Sequence, residues 1–197
     1  MLVVVLCLVV ALLAGGWLYA MAGERRDRVR YPAPGRLVEI GGGRKLHIHV
    51  TGEGSPVVVL EAGIAATSLS WALVQPEVER FTTVCSYDRG GLGWSDSTSL
   101  LRTPSSLARE LHAVLEGARL PGPYVMVGHS FGGLVVQRFA SLYPAAVSGL
   151  VLVDPLAASE WYPFGEEHRK RWRHGIRLSR RGALLARLGV EIGRAHV

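Results

Sequence analysis

The apolar and polar positions divide the chain into three stretches of different grammar. Residues 2–22 contain no charged side chain, and about 20 apolar residues at about 1.5 Å each match a hydrocarbon core about 30 Å thick. Trp17 and Tyr19 stand near the end of this stretch, where interfacial aromatic anchors belong. The pattern predicts a membrane-spanning helix. A cleaved signal peptide would carry a basic leading segment, which is absent, and a shorter apolar stretch, although the small residues Ala20 and Ala22 suit cleavage. A buried core helix fits less well, because the segment precedes the domain. Arg25, Arg26, Arg28 and Arg30 follow the span and no Lys or Arg precedes it, so the positive-inside rule puts the domain in the cytoplasm. A misassigned start codon would reverse that inference, and the side of the membrane is left open.

After a linker over residues 23–35, ending in Tyr31-Pro32-Ala33-Pro34-Gly35, the pattern changes. Residues 37–40 and 45–50 read as an antiparallel hairpin around three glycines. In its second strand Leu46, Ile48 and Val50 alternate with His47 and His49, which the alternation assigns to the solvent face. Val57-Val58-Val59-Leu60 is a continuous run, expected of a strand buried on both faces. A helix over 70–80, a strand over 82–87 and a glycine-rich loop over 89–93 follow. Thr103 and Pro104 are the N-cap and first turn of a helix whose apolar face is Leu107, Leu111, Val114 and Leu115. A strand over 124–127, a helix over 131–143 and a strand over 147–153 complete an alternation that calls for a mostly parallel sheet flanked by helices.

Gly128-His129-Ser130-Phe131-Gly132 lies between the strand at 124–127 and the helix that follows. This is the context in which G-x-S-x-G forms a nucleophile elbow. A serine on so sharp a turn needs small neighbours, because strand and helix approach closely; Gly128, Gly132 and Gly133 supply them. The helix then aims its free amides and positive end at a developing oxyanion. Together with Gly133, the elbow resembles that of the α/β-hydrolase superfamily. The likeness runs from about residue 35 to 155, through Tyr87-Asp88-Arg89-Gly90-Gly91-Leu92-Gly93-Trp94-Ser95-Asp96 and Val151-Leu152-Val153-Asp154.

The resemblance implies an α/β fold with Ser130 as nucleophile and an oxyanion hole formed by the backbone amides of Phe131 and Ile64. The second donor sits in Glu61-Ala62-Gly63-Ile64, a departure from the His-Gly-x common in the family. Asp154 occupies a strand end where some relatives carry the triad acid; a strand-end cap is the plainer reading. Asp88 and Arg89 are expected to shape their loop, and His129 to line the site. The family's base follows the last strand, and neither His168, His174 nor His196 has that setting. The basic run from His168 to Arg181 resembles the first helix of a lid, over residues 156–190; a solvated helical face is the plainer reading, and contact with the membrane surface is left open by the anchor. The last seven residues, Glu191 to Val197, are what GAG-ATC-GGA-AGA-GCA-CAC-GTC encodes, a string containing the start of a common sequencing adapter. The expectation is therefore an adapter-derived tail on an incomplete core over 36–155, with the catalytic histidine beyond it and this fragment inactive.

Composition narrows the functional classes. Apolar residues make up 49% and charged residues 19% of 197, which excludes a disordered chain. Cys7 and Cys85 form no disulfide framework or zinc spacing, and neither a P-loop nor a strand-borne G-x-G-x-x-G is present, so no metal or other cofactor is expected. The net charge of +6 comes largely from the basic run and the membrane-proximal arginines. No nucleic-acid motif surrounds it, so no nucleic-acid partner is expected. No obligate protein partner is evident. The sequence thus reads as a single-pass, membrane-anchored serine hydrolase acting on an ester, amide or related small acyl substrate. The alternative is a non-catalytic relative that binds or scaffolds at the membrane.

Overall fold

The computed structural model describes residues 2–99, 101–156 and 165–188. The expected tail over 191–197 lies outside them, as does part of the expected lid. The chain divides into two compact units, Met1–Pro32 with Trp161–Val197, and Ala33–Glu160.

In the first unit, helix α1 (Leu2–Arg30) is apolar on every face up to Glu24. Over Leu2–Asp27 it is long and apolar enough to cross a membrane, and its side chains are exposed. A signal sequence near the N-terminus, or the core helix of a soluble protein, meets the same criterion of length and apolarity.

The second unit is a six-stranded sheet in the order β1-β2-β4-β3-β5-β6. Strands β1 (Arg36–Glu39) and β2 (Lys45–Thr51) form the predicted hairpin, and β2 also pairs antiparallel with β4 (Val84–Tyr87). The remaining pairs are parallel and join β4, β3 (Val58–Glu61), β5 (Tyr124–His129) and β6 (Val147–Val153). The mostly parallel α/β architecture is as expected. On one face Val57, Val59, Cys85 and Met126 pack with Leu111, Val114 and Leu115, and with Val136 and Phe139. On the other, Val58, Leu60 and Val84 pack with Trp71. The continuous apolar run of β3 thus serves two cores, because alternate side chains point to opposite faces.

The predicted helix over 70–80 is instead a 3₁₀ turn (Ser68–Trp71) and a one-turn helix α2 (Gln75–Val78). Pro76 lacks the amide that a continuous helix would need, but suits a new first turn. Helix α3 (Pro104–Gly117) begins where Thr103 predicts. Its Oγ1 accepts from Ser106 N–H at 3.1 Å, and Ser106 Oγ accepts from Thr103 N–H at 3.0 Å. Helix α4 (Phe131–Leu142) follows β5 directly, and α5 (Glu166–Arg187) carries the basic run in the first unit.

His47 departs from the solvent-face assignment: it is fully buried. Both faces of β2 are covered at this point, so alternation does not separate inside from outside. His47 Nδ1 is 2.9 Å from Asp88 Oδ2, and its Nε2 accepts from Gly35 N–H at 3.2 Å. With Nε2 accepting, Nδ1 is the ring nitrogen that donates to Asp88. Asp88 also accepts from the amides of Ser68 at 2.7 Å and Trp94 at 3.1 Å. Burial pushes the Asp88 carboxyl upward, but the bonds from His47, Ser68 and Trp94 together outweigh it and hold the group below its ordinary 3.8.

One carboxylate therefore ties β2, the 3₁₀ turn and the loop after β4. Asp88→Ala leaves these donors without their acceptor and lowers the unfolding free energy by about 3 kcal/mol, read from urea denaturation followed by tryptophan fluorescence. Because folding depresses this pKa, the Asp88 contribution is complete above 3.8 and is lost as pH falls through the folded value. Asp88→Ala loses that acid limb; an unchanged acid profile would contradict the assignment.

Candidate active site

Ser130 sits between β5 and α4 with φ 51° and ψ −120°. A non-glycine residue at such angles stores about 1–3 kcal/mol of strain, sustained only where its surroundings over-determine it. Here Ser130 N–H donates to Val153 O at 3.1 Å, and its carbonyl accepts from Gly133 N–H and Leu156 N–H, both at 3.0 Å. The main chain of the turn is held on both sides while the side chain is half-exposed.

The neighbouring glycines are required by space. A Cβ on Gly132 would lie 2.4 Å from Glu61 O and 2.6 Å from Ala62 O. One on Gly128 would lie 2.6 Å from Val136 Cγ2 and 2.8 Å from Gly133 Cα. Helix α4 consequently seats its first turn against the end of β3, and the loop after β3 comes to the serine. A Cβ on Gly63 would lie 3.2 Å from His129 Nδ1 and 3.6 Å from Ser130 Cβ. Ile64 follows, 73% exposed. The left-handed backbone of this turn falls on Ala65, with φ 55°. Among the described residues, neither Ile64 N–H nor Phe131 N–H has an acceptor.

Asp154 is exposed, with φ 42°, immediately after the Val153 carbonyl that receives the Ser130 amide. Ser130, Phe131, Ile64 and Asp154 are therefore gathered around one turn. The histidines described in this unit lie in other contacts. His47 pairs with Asp88, His49 lies beside Gln75, and His112 is 3.1 Å from Glu116 and stacks on Tyr143. His129 is exposed and sets its ring edge-on to Trp71 at 6.4 Å, beside the serine as expected. None of these contacts joins a histidine to Ser130 Oγ. Among the described residues no group of three His, Cys, Asp or Glu is placed to hold a metal. Cys85, inside the core, is no rival nucleophile, since burial pushes its thiol up to about 12.

Behind the turn lies a buried ion pair that the sequence reading missed. Arg89 Nη1 is 2.9 Å from Glu61 Oε1, while Arg89 Nη2 donates to Gly63 O and the guanidinium lies 5.6 Å over the Phe131 ring. Tyr87 donates its hydroxyl proton to Glu61 Oε2. Burial pushes the Glu61 carboxyl up to about 7, against the opposing pull of Arg89 and Tyr87. Arg89 thus touches both amide-bearing segments, bonding the carbonyl of Gly63 and covering Phe131. The available signal was a glutamate closing a run of buried apolar residues, a position that demands a partner. Glu110, on α3, closes the far side by accepting from Arg44, Arg102 and the Gly90 amide at 2.9, 3.2 and 3.2 Å.

Comparison with known proteins gives consistent likenesses. The chain is 30% identical over 107 residues to the uncharacterized protein YqjL of Bacillus subtilis, covering 54% of this chain and 42% of that one. It is 36% identical over 124 residues to a putative carbamate hydrolase RutD of Cronobacter sakazakii, covering 60% and 44%. A thermophilic esterase from Thermogutta terrifontis superposes with a TM-score of 0.63 at 26% identity, covering 74% and 53%. The chain spans about half or less of the length of each. Residues 56–187 match the family defined by the alpha/beta hydrolase fold, and this chain belongs to that family.

Proposed function

We propose that this chain carries the nucleophile and oxyanion-binding half of a serine hydrolase, anchored in a membrane by α1, that cleaves an ester, amide or related acyl bond. The observation that carries the reading is the strained backbone of Ser130 at the start of α4, beside the unpaired amides of Phe131 and Ile64. In this reading Ser130 Oγ attacks the acyl carbon and a histidine takes its proton. The carbonyl oxygen becomes an oxyanion facing the amides of Phe131 and Ile64, where the positive end of α4 adds to the stabilisation. Collapse of the tetrahedral species expels the alcohol or amine, and water releases the acid from the acyl-serine.

Asp154 is the candidate to orient the histidine, being a carboxylate one residue beyond the Val153 carbonyl. The histidine itself is assigned to chain that continues the sheet past β6. The motive is physical: Leu150, Val151, Leu152 and Val153 are 39–47% exposed on a strand apolar on both faces, a surface that normally packs under further strands and helices. Residues 36–155 are accordingly read as the first part of the catalytic core and 156–190 as the start of a lid. The family resemblance and the esterase likeness support this class of chemistry; the acyl group and leaving group are left unassigned.

The test is fluorophosphonate labelling of the full-length protein. The probe modifies the peptide containing Ser130, and Ser130→Ala removes that adduct while leaving the unfolding transition in place; labelling that persists in Ser130→Ala would sink the assignment. Gly132→Ala examines the oxyanion geometry separately. Its methyl cannot fit against the carbonyls of Glu61 and Ala62, so the turn must shift and kcat/KM for a p-nitrophenyl ester falls about 100-fold or more. Wild-type turnover in Gly132→Ala would remove the close approach from the mechanism.

A further inference from the structure

Helix α5 concentrates the charge of the molecule. Eight Lys and Arg residues against two Glu give it a formal +6, equal to the charge of the entire chain. The remainder is balanced, with 14 basic residues (22 less 8) and 14 acidic (16 less 2). Lys170, Arg173, Arg177, Arg180 and Arg181 are all exposed. At 3.6 residues per turn they fall within an arc of about 100°. Lys170, Arg173 and Arg177 line one open groove with Ile176. Such a stripe repels itself on folding and gains its stabilisation from an external anion array.

The same unit indicates which array. Ala186, in the last turn of α5, borders a pocket with Trp17, Ala20, Met21 and Glu24 of α1. Those residues mark the point where the uncharged stretch of α1 ends, at the depth of lipid headgroups if α1 spans a bilayer. Arg25, Arg26 and Arg30 follow there, all exposed. We propose that α5 lies along the membrane surface with its cationic stripe against the phosphates of anionic phospholipids, a second membrane contact beside the α1 anchor. The inference rests on the reading of α1 as an anchor and does not depend on the chemistry at Ser130. Parallel association with a headgroup plane suits a helix about 33 Å long whose cations form one stripe.

The experiment uses the full chain reconstituted in vesicles of phosphatidylcholine alone or with phosphatidylglycerol added, and follows trypsin cleavage site by site by mass spectrometry. Cleavage after Lys170 and Arg181 slows about tenfold in the anionic vesicles, while cleavage after the exposed Arg80 reports any general effect of the vesicles on trypsin. About 0.5 M salt removes the difference, because the contact is electrostatic. The triple substitution Arg173→Gln, Arg177→Gln and Arg180→Gln also removes it, with the chain still floating with the vesicles. Equal cleavage of α5 in the two vesicle types, relative to Arg80, overturns the proposal. So does protection in neutral vesicles by a short DNA duplex with none from phosphatidylglycerol, which would assign the stripe to nucleic acid. Extraction of the chain from neutral vesicles by alkaline carbonate refutes the anchor, and with it the placement of α5, by a separate readout.

Discussion

The site depends on one steric constraint, the approach of the first turn of α4 to the end of β3. Gly132 lies so near the carbonyls of Glu61 and Ala62 that not even a methyl group fits. This contact brings three separate stretches of chain to one point: the elbow, the loop after β3 and, through the Ser130 amide, the end of β6. The strain at Ser130 is the local consequence. A relaxed turn would point the serine elsewhere or pull the helix away from β3, and the hydrogen bonds to Val153, Gly133 and Leu156 oppose both.

Such closeness needs a rigid floor, and buried charge supplies it. Three carboxylates, Glu61, Asp88 and Glu110, lie beneath or beside the glycine-rich loop after β4, each bonded to donors from distant parts of the chain. Their contribution lies less in net stability than in geometry, because paired buried charges roughly offset their own desolvation. Arg89 is the telling case. Its planar fork reaches Glu61 and the Gly63 carbonyl together, so the orientation of the loop carrying Ile64 is fixed from below. A lysine, with a single point of charge, could hold the glutamate or the carbonyl but would not fix the angle between them.

What the sequence disclosed follows from range. The elbow was legible because its requirement is local, with glycines crowded around a serine between a strand and a helix. Thr103 likewise announced its helix through a bond spanning three residues. His47 was misread because its burial depends on Gly35 and Asp88, far away in sequence, and because alternation carries no information when both faces of a strand are covered. The helix expected over 70–80 failed for a local reason that was visible, since Pro76 breaks it. The Glu61–Arg89 pair lay between: each residue stood out, but only the pairing of β3 with β4 brings them together.

The turn at Ser130 is also tied to an exposed edge strand of the sheet. Ser130 N–H is bonded to Val153, the last residue of β6, whose apolar side chains are open on both faces. In a parallel sheet such a strand is ordinarily covered, and an uncovered one has a row of unpaired backbone groups along its outer edge. Whatever covers β6 therefore fixes the position of the Val153 carbonyl, and through it the serine. The same cover constrains Asp154, one residue further along and already in left-handed backbone. Two features of the turn thus meet at one strand end: the residues that seat the end of β6 also set where Ser130 and Asp154 stand relative to one another.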